Sequence, residues 1–144
     1  MDPFPHHYRV TATGEAEGPV QVSGDALPLI QTAPPAEFGG PGDAWSPEAL
    51  LVAAVADCYI LSFRAVASAS KFERLALSCE PSGILDRQDK ITRFTEIVNR
   101  VRLKVASGTS EETASRLLHK AEDVCLVSNS LNAAVRLDIE IEFA

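Results

Sequence analysis

Two cysteines lie in sequence contexts that favour thiol chemistry. Cys58 lies within the apolar stretch from Ala49 to Ala69, and Cys125 opens a polar segment. A thiol reacts as its anion, and Ser62, one helical turn after Cys58, could donate a hydrogen bond to it. The pair predicts attack of Cys58 on a peroxide, followed by attack of Cys125 on the sulfenic acid to form a disulfide. On these residues alone, the alternative that both cysteines only pack inside the protein stays open.

The remaining thiol and imidazole side chains indicate no further chemistry. Cys79 is in phase with Leu75 and Leu77 in an alternating segment and is predicted to be a core residue. The three cysteines are an odd number at wide spacing, which suits neither a disulfide framework nor the paired cysteines of a zinc site. The histidines share no metal-ligand spacing with acidic residues or thiols; they are His6, His7 and His119. The sequence therefore predicts no metal site.

Composition and charge indicate one soluble domain over residues 1–144. Hydrophobic residues make up 46% of the chain and charged residues 23%, which is typical of a globular protein and excludes a disordered one. Acidic residues outnumber basic ones by 20 to 13, and the net charge of −7 argues against a nucleic-acid partner. Asp57 and Arg64 interrupt the apolar stretch, so we expect no membrane span. The lack of a signal-like segment predicts a cytoplasmic protein.

A long central helix must position Cys58. Ser46 can cap its first turn, Pro47 fits the first helical position and Glu48 suits the positive end of the helix dipole. No glycine or proline follows until at least Ser70, and the segment is apolar on nearly all sides. One sheet from so short a chain cannot cover every side of such a helix. We therefore expect a homodimer in which this helix packs against its symmetry mate.

Strands and one further helix complete the predicted fold. Three short strands form an antiparallel meander before a loop rich in proline and glycine, and longer strands follow the central helix. A capping-box signal beginning at Thr109 predicts a second helix that ends near Cys125, and an alternating strand closes the chain. The predicted segments are strands at Tyr8–Thr13, Pro19–Ser23 and Leu27–Thr32, the loop Ala33–Trp45, a strand at Glu73–Asp86, a turn at Asp86–Lys90, a long strand to Val105, and a strand at Val135–Phe143.

Two separated motifs together resemble one known family. The first runs from Glu37-Phe38-Gly39-Gly40-Pro41-Gly42 through Trp45-Ser46-Pro47-Glu48 to Asp57-Cys58, and the second is Cys125-Leu126-Val127-Ser128-Asn129-Ser130. They look like the central motif and the second-cysteine motif of the OsmC/Ohr family, named for osmotically inducible protein C and organic hydroperoxide resistance protein. The resemblance covers nearly the whole chain in the right order. It implies an α+β, OsmC-like fold with antiparallel sheets wrapped around long central helices in an intertwined homodimer.

The same resemblance implies an activity. It implies a thiol-dependent peroxidase that reduces organic hydroperoxides, with Cys58 as the peroxidatic thiol and Cys125 as the resolving thiol. Glu48 matches the family glutamate that orients an arginine. No metal or organic cofactor is implied, and the implied reductant is an external dithiol, in this family often a lipoyl-bearing protein. A straight helix separates Glu48 from Cys58 by about 15 Å along its axis, so Glu48 of the other subunit is the candidate partner of Cys58.

The arginines depart from the family pattern. The family's activating arginine comes from the early strands or from the loop before the Ser-Pro-Glu motif, and the corresponding segments here, residues 14–18 and 34–37, contain no arginine. Without a guanidinium near the sulfur, the thiolate loses its usual hydrogen-bond donor. Arg9, Arg64 and Arg93 are the candidate substitutes. The departure keeps open an alternative, an OsmC-fold small-molecule binding or stress-response protein with little peroxidase turnover.

Overall fold

Six β-strands and three α-helices form the protein in the computed structural model, which describes residues 1–144. The chain divides into two units, Met1–Leu50 and Leu51–Ala144. The prediction of one domain over the whole chain stays a prediction. The strands are β1 (Thr11–Gly14), β2 (Val20–Ser23), β3 (Ile30–Thr32), β4 (Ala76–Gln88), β5 (Ile91–Val105) and β6 (Ala134–Phe143), and the helices are α1 (Pro47–Ala69), α2 (Glu111–Asp123) and α3 (Leu126–Asn129).

The first unit contains an antiparallel meander of β1, β2 and β3, as predicted. Each strand is shorter than the sequence pattern indicated, and Arg9, placed in the first strand by that pattern, lies before β1. The predicted loop contains a short 3-10 helix, Ala36–Phe38, and Trp45 then forms a parallel bridge with the end of β3. At Gly40 a Cβ atom would overlap the carbonyl of Pro34, so this loop conformation requires glycine there.

Helix α1 begins where the sequence predicted. The Ser46 hydroxyl accepts a hydrogen bond from the backbone N–H of Ala49 at 3.1 Å, and the helix continues for 23 residues. Only part of the α1 surface is buried, and Leu61 of this helix is 53% exposed. Length and composition alone would let α1 cross a membrane, but the core helix of a soluble protein passes the same test. The fully buried side chains of α1 recur every four residues and form one stripe: Val55, Tyr59, Phe63 and Ala67.

The sheet of the second unit has the strand order β4-β5-β6. β4 and β5 form a long antiparallel hairpin whose turn residues, Asp89 and Lys90, both have positive φ, as tight two-residue hairpins require. β6 pairs with β5 in parallel, which corrects the expectation of an antiparallel sheet at this edge. The reason is the connection, since the segment that contains α2 and α3 is long enough for the crossover that a parallel pair needs.

The main core of the second unit joins α1, β5 and α2. The Tyr59 hydroxyl donates a hydrogen bond to the carbonyl of Leu118 at 2.8 Å, which ties α1 to α2. Cys125 belongs to this hydrophobic cluster, and Cys58 and Cys79 pack against it. The core therefore brings all three thiols of the chain to one region. The buried residues of α2 form one face: Ala114, Leu117, Leu118 and Ala121. The inward residues of β5 are Ile97, Asn99, Val101, Leu103 and Val105.

Candidate active site

Cys58 is half-buried on α1 and packs against the core cluster. Its sulfur lies 4.0 Å from the hydroxyl oxygen of Ser62, one turn further along the helix. The neighbouring Asp57 is exposed, and adjacent helical residues do not face each other. Ser62 is thus the polar neighbour of the thiol, as the sequence predicted.

Cys125 is fully buried and occupies the N-cap position of α3, a four-residue helix that the sequence analysis missed. Its backbone N–H donates to the Glu122 carbonyl at 3.1 Å, and its own carbonyl accepts from the N–H of Asn129 at 3.0 Å. Burial raises the pKa of the Cys125 thiol, whereas the hydroxyl and the backbone N–H of Ser128 lie against the sulfur and lower that pKa. The turn therefore holds the sulfur inside the protein near Ser128, and the thiol forms no capping hydrogen bond with α3.

The structure brings Cys58 and Cys125 together. Both are free thiols, and Cys58 packs against the cluster to which Cys125 belongs. The proximity of the Cys58 side chain, and its charge when ionised, raise the pKa of the Cys125 thiol. Two cysteines from distant segments, α1 and the turn before α3, are therefore neighbours at the edge of the core.

Cys79 lies near this pair. It is an inward residue of β4, opposite Val101 of β5, and it packs against the same cluster. Burial raises the pKa of Cys79 to about 12; the Asn99 side chain beside the thiol opposes this rise, and the charges of Cys125 and Glu122 add to it. Its thiol stays protonated at neutral pH, which suits the predicted packing role.

Two polar residues beside the thiols were not predicted. Asn99 of β5 is fully buried, and neither polar atom of its amide has a hydrogen-bond partner. Glu122, in the last turn of α2, has a carboxyl pKa raised by burial, and its Oε2 atom has no partner. Asn99 does leave a sequence signal, because it is the polar residue in the inward, otherwise apolar series of β5. Glu122 leaves no such sequence signal, because acidic residues are common on the solvent-exposed face of a helix.

Glu48 lies in the first turn of α1, where the sequence placed it. One of its carboxylate oxygens, Oε2, is buried without a hydrogen-bond partner. α1 is continuous from Pro47 to Ala69. The role of Glu48 beside an arginine or in the site of a second subunit stays a prediction.

The candidate arginines of the second unit do not form hydrogen bonds with Cys58. Arg93 donates to the side chain of Gln88 at 3.1 Å and to the carbonyl of Phe94 at 3.2 Å, near the end of the hairpin. Arg64 is exposed and lines a cavity of about 380 Å³ together with Arg74. Arg9, in the first unit, is exposed. A substitute for the missing activating arginine is therefore not identified among these side chains.

The family follows from the sequence. Residues 40–140 match the family model of the OsmC-like proteins, which is more than half of the chain. This chain belongs to the OsmC-like family. YmaD, an uncharacterized protein of Bacillus subtilis (strain 168), is 29% identical over 109 residues, which are 74% of this chain and 73% of YmaD.

Solved structures of OsmC-like proteins share the fold. An OsmC-like protein of unknown function from Vibrio cholerae has a TM-score of 0.85 at 19% identity, over 94% of this chain and 100% of that one. The organic hydroperoxide resistance protein OsmC from Legionella pneumophila has a TM-score of 0.75 at 26% identity, over 96% and 99%. An organic hydroperoxide resistance protein from Elizabethkingia anophelis has a TM-score of 0.76 at 21% identity, over 98% and 100%. The predicted α+β, OsmC-like fold is confirmed.

Proposed function

We propose that this OsmC-family protein is a thiol-dependent peroxidase that reduces organic hydroperoxides with Cys58 and Cys125. One observation carries the proposal: two free thiols from distant segments are neighbours, one half-buried and one fully buried. The first can meet a substrate, and the second can react with its neighbour. The relatives from Legionella pneumophila and Elizabethkingia anophelis are organic hydroperoxide resistance proteins, which supports this substrate class.

The proposed cycle has three steps. The Cys58 thiolate attacks the terminal oxygen of the hydroperoxide, the O–O bond breaks, and the alcohol leaves after it takes up a proton, so that Cys58 becomes a sulfenic acid. Cys125 attacks the oxidised sulfur, the S–O bond breaks, and water leaves as the disulfide forms. An external dithiol, for which the family resemblance suggests a lipoyl-bearing protein, then reduces the disulfide and is itself oxidised.

We further propose that the protein acts as a homodimer in the cytoplasm. α1 buries one stripe and leaves apolar side chains such as Leu61 partly exposed, and a second copy would cover them. The buried, unpartnered oxygen of Glu48 fits a role that a second subunit completes. A reducing compartment would keep the thiols free between cycles. The net charge of −7 continues to argue against nucleic acid as a partner.

The test is a stopped-flow reaction of the reduced protein with one equivalent of cumene hydroperoxide. We expect wild type to consume the peroxide rapidly, to lose two thiols and to show a Cys58–Cys125 disulfide by peptide mass mapping. Cys58→Ser should abolish the rapid phase, because the attacking sulfur is gone. Cys125→Ser should keep it and accumulate a sulfenic acid that dimedone traps.

Cys79→Ser is the matched control. Its thiol is protonated at neutral pH and packs in the core, so this variant should consume peroxide like wild type. Rapid peroxide consumption that survives Cys58→Ser would refute the mechanism. If Cys79→Ser were as slow as Cys58→Ser, the proposal would have assigned the peroxide reaction to the wrong sulfur.

A second candidate function is small-molecule binding with little peroxidase turnover. The arginines favour it, because Arg64 and Arg93 form no hydrogen bond with Cys58 and Arg93 is engaged by Gln88 and Phe94. A thiol without a nearby cation gains less stabilisation of its anion. Under this function, peroxide consumption would be no faster than that of a free thiol. An apolar ligand would then bind wild type and Cys58→Ser equally.

A further inference from the structure

A cavity between α1 and the start of β4, here called the α1–β4 cavity, combines apolar walls with two arginines. Its volume of about 380 Å³ falls within the usual size of small-molecule pockets. No acidic side chain lines it. Its apolar wall residues are Ile60, Phe63, Leu75 and Leu77, and its cations are Arg64 and Arg74. The cavity therefore offers an apolar surface beside two positive charges.

The α1–β4 cavity lies on the side of α1 that faces away from Cys58. Ile60 follows Cys58 by two residues, which turns it about 200° around the helix axis. Arg64 is four residues after Ile60 and therefore lies on the same side of the helix. The cavity is thus separate from the two thiols of the proposed cycle, and a ligand bound there would be a property beyond peroxide reduction.

The walls of the cavity are held in place by the core. Phe63 is fully buried, so one wall belongs to the packed interior. Leu75, directly before β4, is in phase with Leu77 and Cys79, which pack against the core. Its backbone N–H donates to the carbonyl of Lys104 at 2.9 Å, yet its side chain is 58% exposed. The inward row of β4 therefore continues beyond the core and leaves an apolar side chain uncovered in the cavity.

The two arginines of the cavity have no acidic partner. The ion pairs of the chain are formed by other arginines, namely Arg100, Arg102 and Arg136, and none includes Arg64 or Arg74. The cavity on the outer face of the sheet differs, because acidic side chains lie there beside Arg100 and Arg102. A guanidinium presents a planar fork of N–H donors that matches a carboxylate. The charge of the α1–β4 cavity therefore favours an anionic ligand.

We propose that the α1–β4 cavity binds a fatty carboxylate. Arg64 and Arg74 hold the carboxylate group, and the hydrocarbon tail lies against the apolar walls. The wall side chains carry no polar atoms, so a tail with hydroxyl or amide groups would lose the hydrogen bonds that it makes with water. A small inorganic anion would meet the charges but gain nothing from the walls. The ligand class thus follows from the combination of charge and apolar surface.

The first test is a calorimetric titration of the whole protein at neutral pH with decanoate, 1-decanol and inorganic phosphate. We expect decanoate to bind with one molecule per chain. The alcohol lacks the charge and phosphate lacks the tail, so each should bind at least about 10-fold more weakly, the scale of one hydrogen bond to a charged group. Binding of decanol or phosphate as tight as that of decanoate would overturn the proposal, as would no binding of decanoate.

Matched variants locate the site. Arg64→Gln and Arg74→Gln should each weaken decanoate binding about 10-fold, whereas Arg87→Gln, which removes the same charge from the exposed end of the hairpin, should bind like wild type. Leu75→Ser should also weaken binding, because the tail loses apolar contact. Ile91→Ser is its control, since Ile91 is 62% exposed at the hairpin turn. Equal affinity in all five proteins and wild type would place any bound decanoate elsewhere and overturn the proposal.

Reversal of the two charges tests the role of the arginines directly. The double variant Arg64→Glu, Arg74→Glu should prefer decyltrimethylammonium over decanoate while it keeps the wild-type circular dichroism spectrum. An unchanged preference for decanoate would overturn the proposal. Sedimentation should give the same mass with and without decanoate. If decanoate bound only as a dimer dissociated, a second copy would occupy the cavity and the proposal would fail. None of these measurements uses peroxide, so their outcome is independent of the peroxidase function.

Discussion

Cys58 and Cys125 are placed by the fold in two different ways. Cys58 is half-buried on an uninterrupted helix, and its polar contact is the Ser62 hydroxyl at 4.0 Å. Cys125 is fully buried at a turn between two helices, with Ser128 against its sulfur. The Cys58 sulfur is therefore the more accessible from outside, whereas the turn shields the Cys125 sulfur.

The contrast in access would fail if both thiols reacted equally with iodoacetamide. We expect native Cys58 to be alkylated about 100-fold faster than Cys125, because the buried sulfur reacts only after the turn opens locally. Peptide mass mapping over a time course measures both rates in one sample. In concentrated urea the rates should converge, and equal rates in the native protein would show that the turn does not shield Cys125.

The polar surroundings of the buried thiols carry a cost in stability. We expect Asn99→Leu to raise the free energy of unfolding by about 1–3 kcal/mol, because it replaces a buried amide without hydrogen-bond partners by an apolar side chain. Urea unfolding of wild type and variant measures the change. The exposed Asn132→Leu is the matched control and should change stability by less than about 0.5 kcal/mol. A destabilised Asn99→Leu would show that the amide is satisfied in solution.

The hydrogen bond that attaches α1 to α2 lies next to Cys58 and tests how firmly this helix is held. Tyr59, next to Cys58, donates to the Leu118 carbonyl at 2.8 Å inside the core. We expect Tyr59→Phe to lower the free energy of unfolding by about 1 kcal/mol, because the carbonyl loses its buried donor. The fully exposed Tyr8→Phe should have no effect. Urea unfolding of both variants and wild type measures the change. An unchanged midpoint for Tyr59→Phe would exclude a stabilising role of this hydrogen bond.

The smallest expected effect concerns Cys79 and alkaline pH. In the unfolded chain this thiol ionises near its ordinary pKa of 9.0, whereas in the folded protein burial raises the pKa to about 12. Between these values the folded state binds more protons, so the free energy of unfolding should fall as pH rises through that window. Cys79→Ala should make this alkaline decline shallower in urea unfolding at a series of pH values. A decline as steep as that of wild type would assign the lost stability to other groups.

Local patterns predicted most of the fold. α1 begins at the capping serine Ser46 as expected, and α2 begins at Ser110, one residue after the start of the predicted capping box; both side chains accept from backbone N–H groups. The alternation in β6 predicted that strand to within one residue. The parallel partner of β6 was not predicted, because strand direction depends on how the crossover packs and not on the period of the strand itself.

The candidate site was predicted only where its residues lie in motifs. The motifs identified Cys58 and Cys125 as candidate thiols but did not give the distance between them; in the structure both meet one hydrophobic cluster. Asn99, Glu122 and Ser128 acquire their significance from three-dimensional neighbours on other segments or across a turn. The spacing of such residues in the sequence does not give the distance between them in the folded protein.

The parallel pairing of β5 and β6 also bears on the order of folding. The β4–β5 hairpin is local in sequence, whereas β6 reaches β5 only after the crossover that carries α2, Cys125 and α3 has packed. The hairpin can therefore form early, and the thiol region is completed by the slower, long-range docking of the C-terminal strand. A chain still emerging during synthesis would lack Cys125 in its folded position, so Cys58 and Cys125 would become neighbours only at the end of folding.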